Sequence, residues 1–528
     1  MPAPRPPVPT WYSGKELLFY LLLSSIIGIG VWLRLWDLGK FGFWWDELYH
    51  VIAAKSLLEE GRPFIPLSGD YTRSLPFTYI VAFFFKVFGV SEFSGRLPSV
   101  IFSTLFVIAG FFIVKNLLNR SIGLLFVIVM SLSPFSIELS RECRMYALFQ
   151  LLYFSMSYFF FIGIENIDHG YSLFRKVESK YEINIVYLLA SLFLFICSAT
   201  IHALTFTFVL VVLFYSFALF VYHWKKNGFI QSLDSKYFII STLIICSVTA
   251  MYIIKQGFLE DLYSTATTVP VWVQKKVSNV HYYRYFLSEK YPALFFIYPI
   301  SVVLMMKEYG KKGFFIFSSF AVLYIFHSFI FERQLNRYIY FIFPFFILGS
   351  LYLVNNIVQY VWGQVRSNFK HSSRLVYAIA ILLALMSFNV FGYPWMGESK
   401  NVHQIRRWPE WSGLSPDVIK EIKKGKVMTT EQMPYIYHFN AIPDYFIRAV
   451  PDFEYAHDPR FPIKVIDNIG SLEDYFNKST DPLYIIVTPW TLQTDVIVTA
   501  DMRNFILENC TQLYSGTKFV MIYKKKSN

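Results

Sequence analysis

Cysteine is scarce in this chain, and charge is scarcer than a water-soluble protein of its size would carry. Of 528 residues only 4 are Cys, and only 16% are Asp, Glu, Lys or Arg. Four thiols cannot frame a disulfide-rich fold. Cys197 and Cys246 sit in apolar runs, Cys143 lies beside one, and Cys510 stands in the polar C-terminal region. All four read as small buried hydrophobes. Soluble domains carry about 25% charged residues. The shortfall here, with 55% hydrophobic and 20% aromatic residues, excludes a soluble enzyme, a disordered chain and a nucleic-acid-binding domain. The net charge of +12 then points to basic loops beside a membrane rather than to a nucleic-acid partner. No internal repeat of fixed period is present.

What the chain does have is long apolar runs. After a Pro-rich tail at 1–15, residues 17–36 are apolar for about 20 residues, enough to span a bilayer and too long for a signal-peptide core. Further runs lie at 97–117, 121–137, 145–164, 183–201, 203–222, 237–255, 291–306, 313–331, 338–358 and 375–393. Together they predict about eleven spans. The run 75–89 is about 15 residues, or ~22 Å against a ~30 Å hydrocarbon core, and it carries Lys86. It reads as a juxtamembrane or re-entrant helix. With 75–89 outside the count and the tail cytoplasmic, Lys115/Arg120, Arg175/Lys176/Lys180, Lys225/Lys226/Lys236, Lys307/Lys311/Lys312 and Arg366/Lys370/Arg374 all fall in cytoplasmic loops, as the positive-inside rule requires. The loop 37–96 and residues 394–528 then face outward. The latter segment is rich in Pro and charge. β-like runs at 426–430, 484–488 and 519–523, and helix-like stretches at 472–477 and 500–508, predict a small extracytoplasmic α/β domain. The organisation expected is therefore a tail (1–15), a polytopic α-helical membrane domain (16–393) and that α/β domain (394–528).

Ionisable residues collect on the outward side. Phe43-Trp44-Trp45-Asp46-Glu47 places two adjacent carboxylates at the membrane surface. An aromatic belt explains the indoles but not the paired acids. Glu138, Arg141, Glu142 and Arg144 crowd another outward loop, which the positive-inside rule would leave poor in arginine. A solvated loop with weak mutual ion pairs is the plainer alternative there. Arg96 opens one span, where snorkelling would account for it. Arg333, Arg337 and Tyr338 open another, and His202 ends a third, where helix capping is the plainer role. Arginine suits phosphate through bidentate hydrogen bonds, and a carboxylate beside a hydroxyl can act as general base. A lipid-phosphate donor and a hydroxyl or amine acceptor fit this pairing.

These segments resemble the multi-spanning GT-C glycosyltransferases of the protein O-mannosyltransferase and aminoarabinose-transferase type. The resemblance rests on residues 43–47 (FWWDE), 88–99 (FGVSEFSGRLPS), 139–148 (LSRECRMYAL), 200–202 and 337–344. It implies a polyprenyl-phosphate-linked monosaccharide donor and inverting transfer at the extracytoplasmic face of the cell membrane, with a protein, lipid or glycan as acceptor. On that resemblance Asp46 is expected as general base. Glu47 would position the acceptor, the donor sugar or a cation, and Glu142 would join the catalytic set. Arg96, Arg144, Arg333, Arg337 and Tyr338 are expected to bind donor phosphate, with Tyr146, His202 and Arg73 elsewhere in the site. The Gln-Glu-Ala-Arg-Met-Tyr pattern of relatives appears here as Arg141-Glu142-Cys143-Arg144-Met145-Tyr146. Where relatives carry His-Pro-Pro, this chain has Arg73-Ser74-Leu75-Pro76, so Arg73 would meet phosphate instead. Some relatives use a divalent cation, for which Glu47, Glu142 and His202 are the candidate ligands. A transporter or flippase of a lipid-linked saccharide is the main rival. It predicts repeat symmetry and charges deep within helices. A membrane scaffold is the second rival, and it leaves both acidic clusters unexplained.

Overall fold

The computed structural model describes residues 14–66, 69–165, 175–254, 277–332, 334–368, 411, 414–449, 464–493, 495, 497–517 and 520–526. The apolar runs fold as helices, and short polar residues set many of their ends. Helix α1 (Gly14–Leu35) is followed by α2 (Trp45–Glu60), a two-residue hairpin of β1 (Phe64–Ile65) and β2 (Gly69–Asp70), and α3 (Leu75–Phe88). Helix α4 (Glu92–Leu117) starts at Ser91, whose hydroxyl accepts from the Ser94 amide. Helices α5 (Arg120–Leu132) and α6 (Pro134–Ser140) are bent by 59°, because Ser133-Pro134 cannot continue the first helix and caps the second. Then come α7 (Tyr146–Glu165), α8 (Arg175–Tyr181) and α9 (Ile185–Ile201), a 3₁₀ turn at Ala203–Thr207, α10 (Phe208–Asn227), α11 (Phe229–Ser232) and α12 (Lys236–Ile254). Helices α13 (Asn279–Lys290), α14 (Pro292–Tyr309) and α15 (Lys311–Phe329), a 3₁₀ turn at Asn336–Ile339 and α16 (Phe343–Asn368) complete the helical part.

Six of the described helices are long and apolar enough to cross a membrane, or up to eight if each bent pair counts as one span. About eleven were expected. The differences have local causes. The run at 121–137 breaks at Pro134, and the run at 338–358 becomes helical only from Phe343, after the 3₁₀ turn. The run at 237–255 gives only a shorter apolar helix, and the run at 375–393 lies outside the described residues. Helix α3, at 14 residues, is the short helix expected at 75–89. One face, Phe77, Val81 and Phe85, is buried, while Tyr79, Phe83 and Val87 are exposed. An apolar stripe turned outward suits a helix lying in the membrane interface. Phe193, Phe296 and Phe329 are likewise exposed, as lipid-facing side chains would be. Cys246, expected buried, is exposed among them.

Helix α5 is buried at every residue from Ile122 to Leu132 and is packed by α1, α4 and α16. The only arginine in α1, Arg34, is buried and fully engaged. It donates to the Gly30, Met130 and Ser131 carbonyls (each 2.9 Å), to Ser103 Oγ (3.0 Å) and to Ser136 Oγ (3.1 Å). At the end of α7 remote from Tyr146, about 30 Å away at 1.5 Å per residue, Lys311 Nζ pairs with Glu165 (2.8 Å), which also accepts from Tyr237 Oη (2.8 Å) and Tyr215 Oη (3.0 Å).

The C-terminal region is α/β. Its six strands, β3 (Lys426–Thr429), β4 (Tyr445–Ile447), β5 (Lys464–Ile466), β6 (Leu483–Val487), β7 (Cys510–Thr517) and β8 (Val520–Lys525), form one mixed sheet in the order β5-β4-β3-β6-β8-β7. The pairs among β3, β4, β5 and β6 are parallel, and those involving β8 are antiparallel. The flanking helices are α17 (Pro416–Ile422), α18 (Gln432–Phe439), α19 (Ile469–Lys478), α20 (Pro489–Gln493) and α21 (Ala500–Asn509). Helix α18 packs on α2, and its Met433 and Ile436 join the core of the helical bundle.

Candidate active site

The segment 43–47 begins helix α2, and each of its residues is tied to a different part of the chain. The Phe43 ring meets Tyr437 edge-on (5.5 Å). Trp44 lies under the Arg337 guanidinium (5.5 Å to the ring). Trp45 Nε1 donates to Glu431 (2.6 Å). Asp46 is hydrogen-bonded by Arg337 and has Arg144 Nη2 at 3.9 Å. Glu47 is completely buried.

Adjacent residues on a helix point about 100° apart, so the two acids have separate fates. Glu47 turns inward. Its Oε1 accepts from Arg96 Nε (2.8 Å) and the Cys143 amide (2.6 Å). Its Oε2 accepts from Arg96 Nη2 (2.8 Å) and the Trp44 amide (3.0 Å). Arg96, also buried, sends its remaining N–H groups to the carbonyls of Leu38 (3.1 Å), Phe41 (2.6 Å) and Gly42 (2.9 Å). A guanidinium has five N–H donors and a carboxylate about four acceptor sites, and this pair uses them all. The expectation that Arg96 meets phosphate, and that Glu47 contacts substrate or a cation, therefore meets a physical obstacle: both groups are saturated by protein.

Asp46 turns outward and keeps partial exposure. Burial would raise its pKa, but the charges of Arg337 and Arg144 outweigh that and hold it down at about 2. Arg144 lies in the loop at 141–145 between α6 and α7. Its carbonyl accepts from Ser99 Oγ (3.0 Å), its amide donates to the Glu142 carbonyl (2.7 Å), and its Nη1 donates to the Asp46 carbonyl. Arg141, from the same loop, caps α1 by donating to the carbonyls of Leu33 (3.2 Å), Arg34 (2.9 Å) and Trp36 (2.6 Å). Arg337 sits in the 3₁₀ turn that Gln150 Nε2 anchors through the Tyr340 carbonyl (2.7 Å). Tyr146 lies between the two guanidiniums, 5.7 Å from Arg144 and 5.8 Å from Arg337. Tyr338 packs edge-on against Phe331 (5.0 Å).

His202 lies where α9 ends. Its Nδ1 accepts from the Leu204 amide (3.1 Å) and its ring stacks on Phe149 (5.0 Å). Burial, then the charges of Arg73, Arg144 and Arg337, push its pKa down to about 3. Glu142 is buried, close enough for its charge to act on Arg337. Arg73 is exposed on the turn before α3, yet its charge acts on Asp46. Arg333 lies outside the described residues. Among the described residues no group of three or more His, Cys, Asp or Glu side chains could hold a metal ion. Glu47, with both oxygens spent on protein, does not fit the ligand role expected with Glu142 and His202.

Sequence reasoning missed two residues beside Asp46. His50 is buried on the next turn of α2, with Nδ1 bonded to Thr78 Oγ1 (2.9 Å) and Nε2 without a partner among the described residues. Its spacing of four from Asp46 is the helical signal that would have found it. Tyr71 meets His50 edge-on (5.3 Å), and its hydroxyl has no partner among the described residues either. Nε of Arg144 and Nε of Arg337 are also without a partner among the described residues. Among the described residues, four polar atoms on side chains that feel the charge of Asp46 or pair with it thus lack a protein partner.

Residues 73–225 match the family model of dolichyl-phosphate-mannose-protein mannosyltransferases. No curated protein matches the chain. Among solved structures, the chain is similar to ArnT from Cupriavidus metallidurans in the apo state, with a TM-score of 0.59 at 11% identity over 97% of this chain and 98% of that one. It is also similar to the same enzyme bound to undecaprenyl phosphate, with a TM-score of 0.58 at 10% identity and the same coverage. The oligosaccharyltransferase of Archaeoglobus fulgidus in the apo form gives a TM-score of 0.59 at 11% identity, over 90% of this chain and 70% of that one. The chain has the GT-C fold of these membrane enzymes, and the family match supports a glycosyltransferase dependent on a polyprenyl-phosphate donor.

Proposed function

We propose that the protein is an inverting glycosyltransferase that moves one sugar from a polyprenyl-phosphate donor to a hydroxyl or amine of a protein, lipid or polysaccharide, at the extracytoplasmic face of the cell membrane. The observation that carries this reading is Asp46 held between Arg144 and Arg337, a proton acceptor beside a site for a phosphate. The ArnT structure bound to undecaprenyl phosphate supports the donor class, as does the similar fold of the Archaeoglobus fulgidus oligosaccharyltransferase in complex with an inhibitory peptide and a dolichol-phosphate.

In the free protein the two guanidiniums neutralise Asp46 and make it a weak base. A donor phosphate offers them a stronger, bidentate partner. As they turn to it, Asp46 loses the positive charges that depress its pKa and becomes a better base. The acceptor oxygen or nitrogen then forms its bond to the anomeric carbon. The bond from that carbon to the phosphate oxygen breaks, and the phosphate leaves with the electron pair, stabilised by Arg144 and Arg337. The acceptor proton passes to Asp46. A single displacement inverts the anomeric centre, and the leaving phosphate needs no general acid. His50 Nε2 and Tyr71 Oη are placed to hydrogen-bond the sugar or the acceptor.

The test is release of free polyprenyl phosphate from a labelled lipid-linked sugar in the presence of acceptor. A transporter or scaffold would release none.

A further inference from the structure

We infer that Glu431 is a positioning residue for Asp46: the C-terminal domain grips the Trp45 indole at the ends of its parallel strands and so fixes the first turn of the helix that carries the base. This rests on the reading of Asp46 as the base.

The sheet topology makes the site of this grip distinctive. From β3 the chain moves to β4 and β5 on one flank, then crosses to β6 on the other. Strands β3 and β6 are therefore parallel neighbours at a topological switch point. In open α/β sheets the crevice outside the carboxyl ends at such a point is where ligands bind. Here Thr430 and Glu431 follow β3, and Thr488 follows β6. Their side chains converge. Thr488 Oγ1 donates to Glu431 Oε1 (3.2 Å), and the Thr491 hydroxyl links Thr430 (2.8 Å) with Thr488 (3.0 Å). Glu431 Oε2 is left facing out of the domain, and it accepts Trp45 Nε1 at 2.6 Å. The catalytic segment thus fills the place that a small ligand takes in other sheets of this kind.

This arrangement is more than a patch of contact between two regions. Glu431 is 4% exposed, and among the described residues no basic side chain forms an ion pair with it. Burying a carboxyl without a counter-charge is costly, and the apolar docking of Met433 and Ile436 would hold α18 on α2 without it. The cost is spent on one indole, the one directly before Asp46. Trp45 is the first residue of α2, so its placement sets the direction from which Asp46 meets Arg144 and Arg337. Lys55 Nζ, bonded to Asn440 Oδ1 (2.9 Å), ties the far ends of the same two helices. The grip therefore acts on a helix already held at its other end.

The experiment uses the full chain in detergent or nanodiscs, with release of polyprenyl phosphate as readout. In E431A kcat should fall by about tenfold or more, as expected for a displaced catalytic group, with donor KM little changed because Arg144 and Arg337 remain. E431Q keeps an acceptor oxygen for Trp45 and should recover most of the lost turnover. W45F removes the donor and should match E431A, and the double variant should be no worse than either single one. Wild-type kcat in W45F, or additive losses in the double variant, would overturn the inference. If E431A does not fold, W45F and E431Q still decide. D46N is assayed alongside. Turnover in D46N would remove the base assignment itself, whereas an inactive D46N with a fully active, folded E431A would remove only the role given to Glu431.

Discussion

Asp46, Arg144 and Arg337 form a unit, and in the proposed mechanism each guanidinium exchanges the carboxylate for a phosphate. A carboxyl held at about 2 stays ionised through the physiological range, and donor binding should raise its pKa by drawing the guanidiniums away. The acid limb of kcat, which reports the donor complex, should therefore lie at higher pH than that of kcat/KM, which reports free enzyme. Coincident limbs would mean that the arginines never leave Asp46. Removing either guanidinium should weaken donor binding. Charge-assisted hydrogen bonds contribute about 1.5–3 kcal/mol, so donor KM should rise roughly 10- to 100-fold in R144A or R337A, and an unchanged KM in both would place the phosphate elsewhere. Glu431 gives a separate pH signature. Burial raises its pKa to about 7 against an ordinary 4.5, so the folded state holds its proton longer than the unfolded state. Stability from this group is complete below about pH 4.5 and is lost as pH rises through 7. Thermal melts of the wild type should fall across that window and those of E431Q should be flatter; identical slopes would show that the carboxyl titrates normally.

Helix α2 is the element in which local pattern and tertiary structure part company. The acidic pair in Phe43-Trp44-Trp45-Asp46-Glu47 was legible, as were Arg144 and Arg337 on the same side of the chain. Which acid keeps solvent exposure was not, because that depends on what each side of the helix meets. Glu47 finds Arg96 and the Cys143 amide, and Asp46 finds the two other arginines. Arg96 looked like a phosphate ligand only because its partner, 49 positions earlier, leaves no mark in its own segment. Breaking a buried ion pair costs about 3–5 kcal/mol. R96A should therefore lose about that much stability in denaturant unfolding, and with it the fixed start of α2. A fully stable R96A with donor KM raised alone would restore Arg96 to the phosphate site.

Across the whole molecule, features repeated along the chain were easiest to read. Apolar length gave most of the helices, and the short β-like runs gave three of the six strands. Strands β4 and β5, at three residues each, carry too few positions for alternation to register. The Pro134 break turned one expected span into a bent pair, and α16 starts five residues into the run that foretold it and extends past its end. The contact of the C-terminal domain with the segment that carries Asp46 joins residues 386 positions apart, beyond the reach of any local pattern. The claim on which all of this depends is that Asp46 takes the acceptor proton while the arginines hold the leaving phosphate. The most direct measurement is single-turnover release of polyprenyl phosphate from a labelled lipid-linked sugar by purified wild type and D46N. The wild type should release it only with acceptor present, and folded D46N should bind donor yet release none. Release by D46N at the wild-type rate would contradict the assignment.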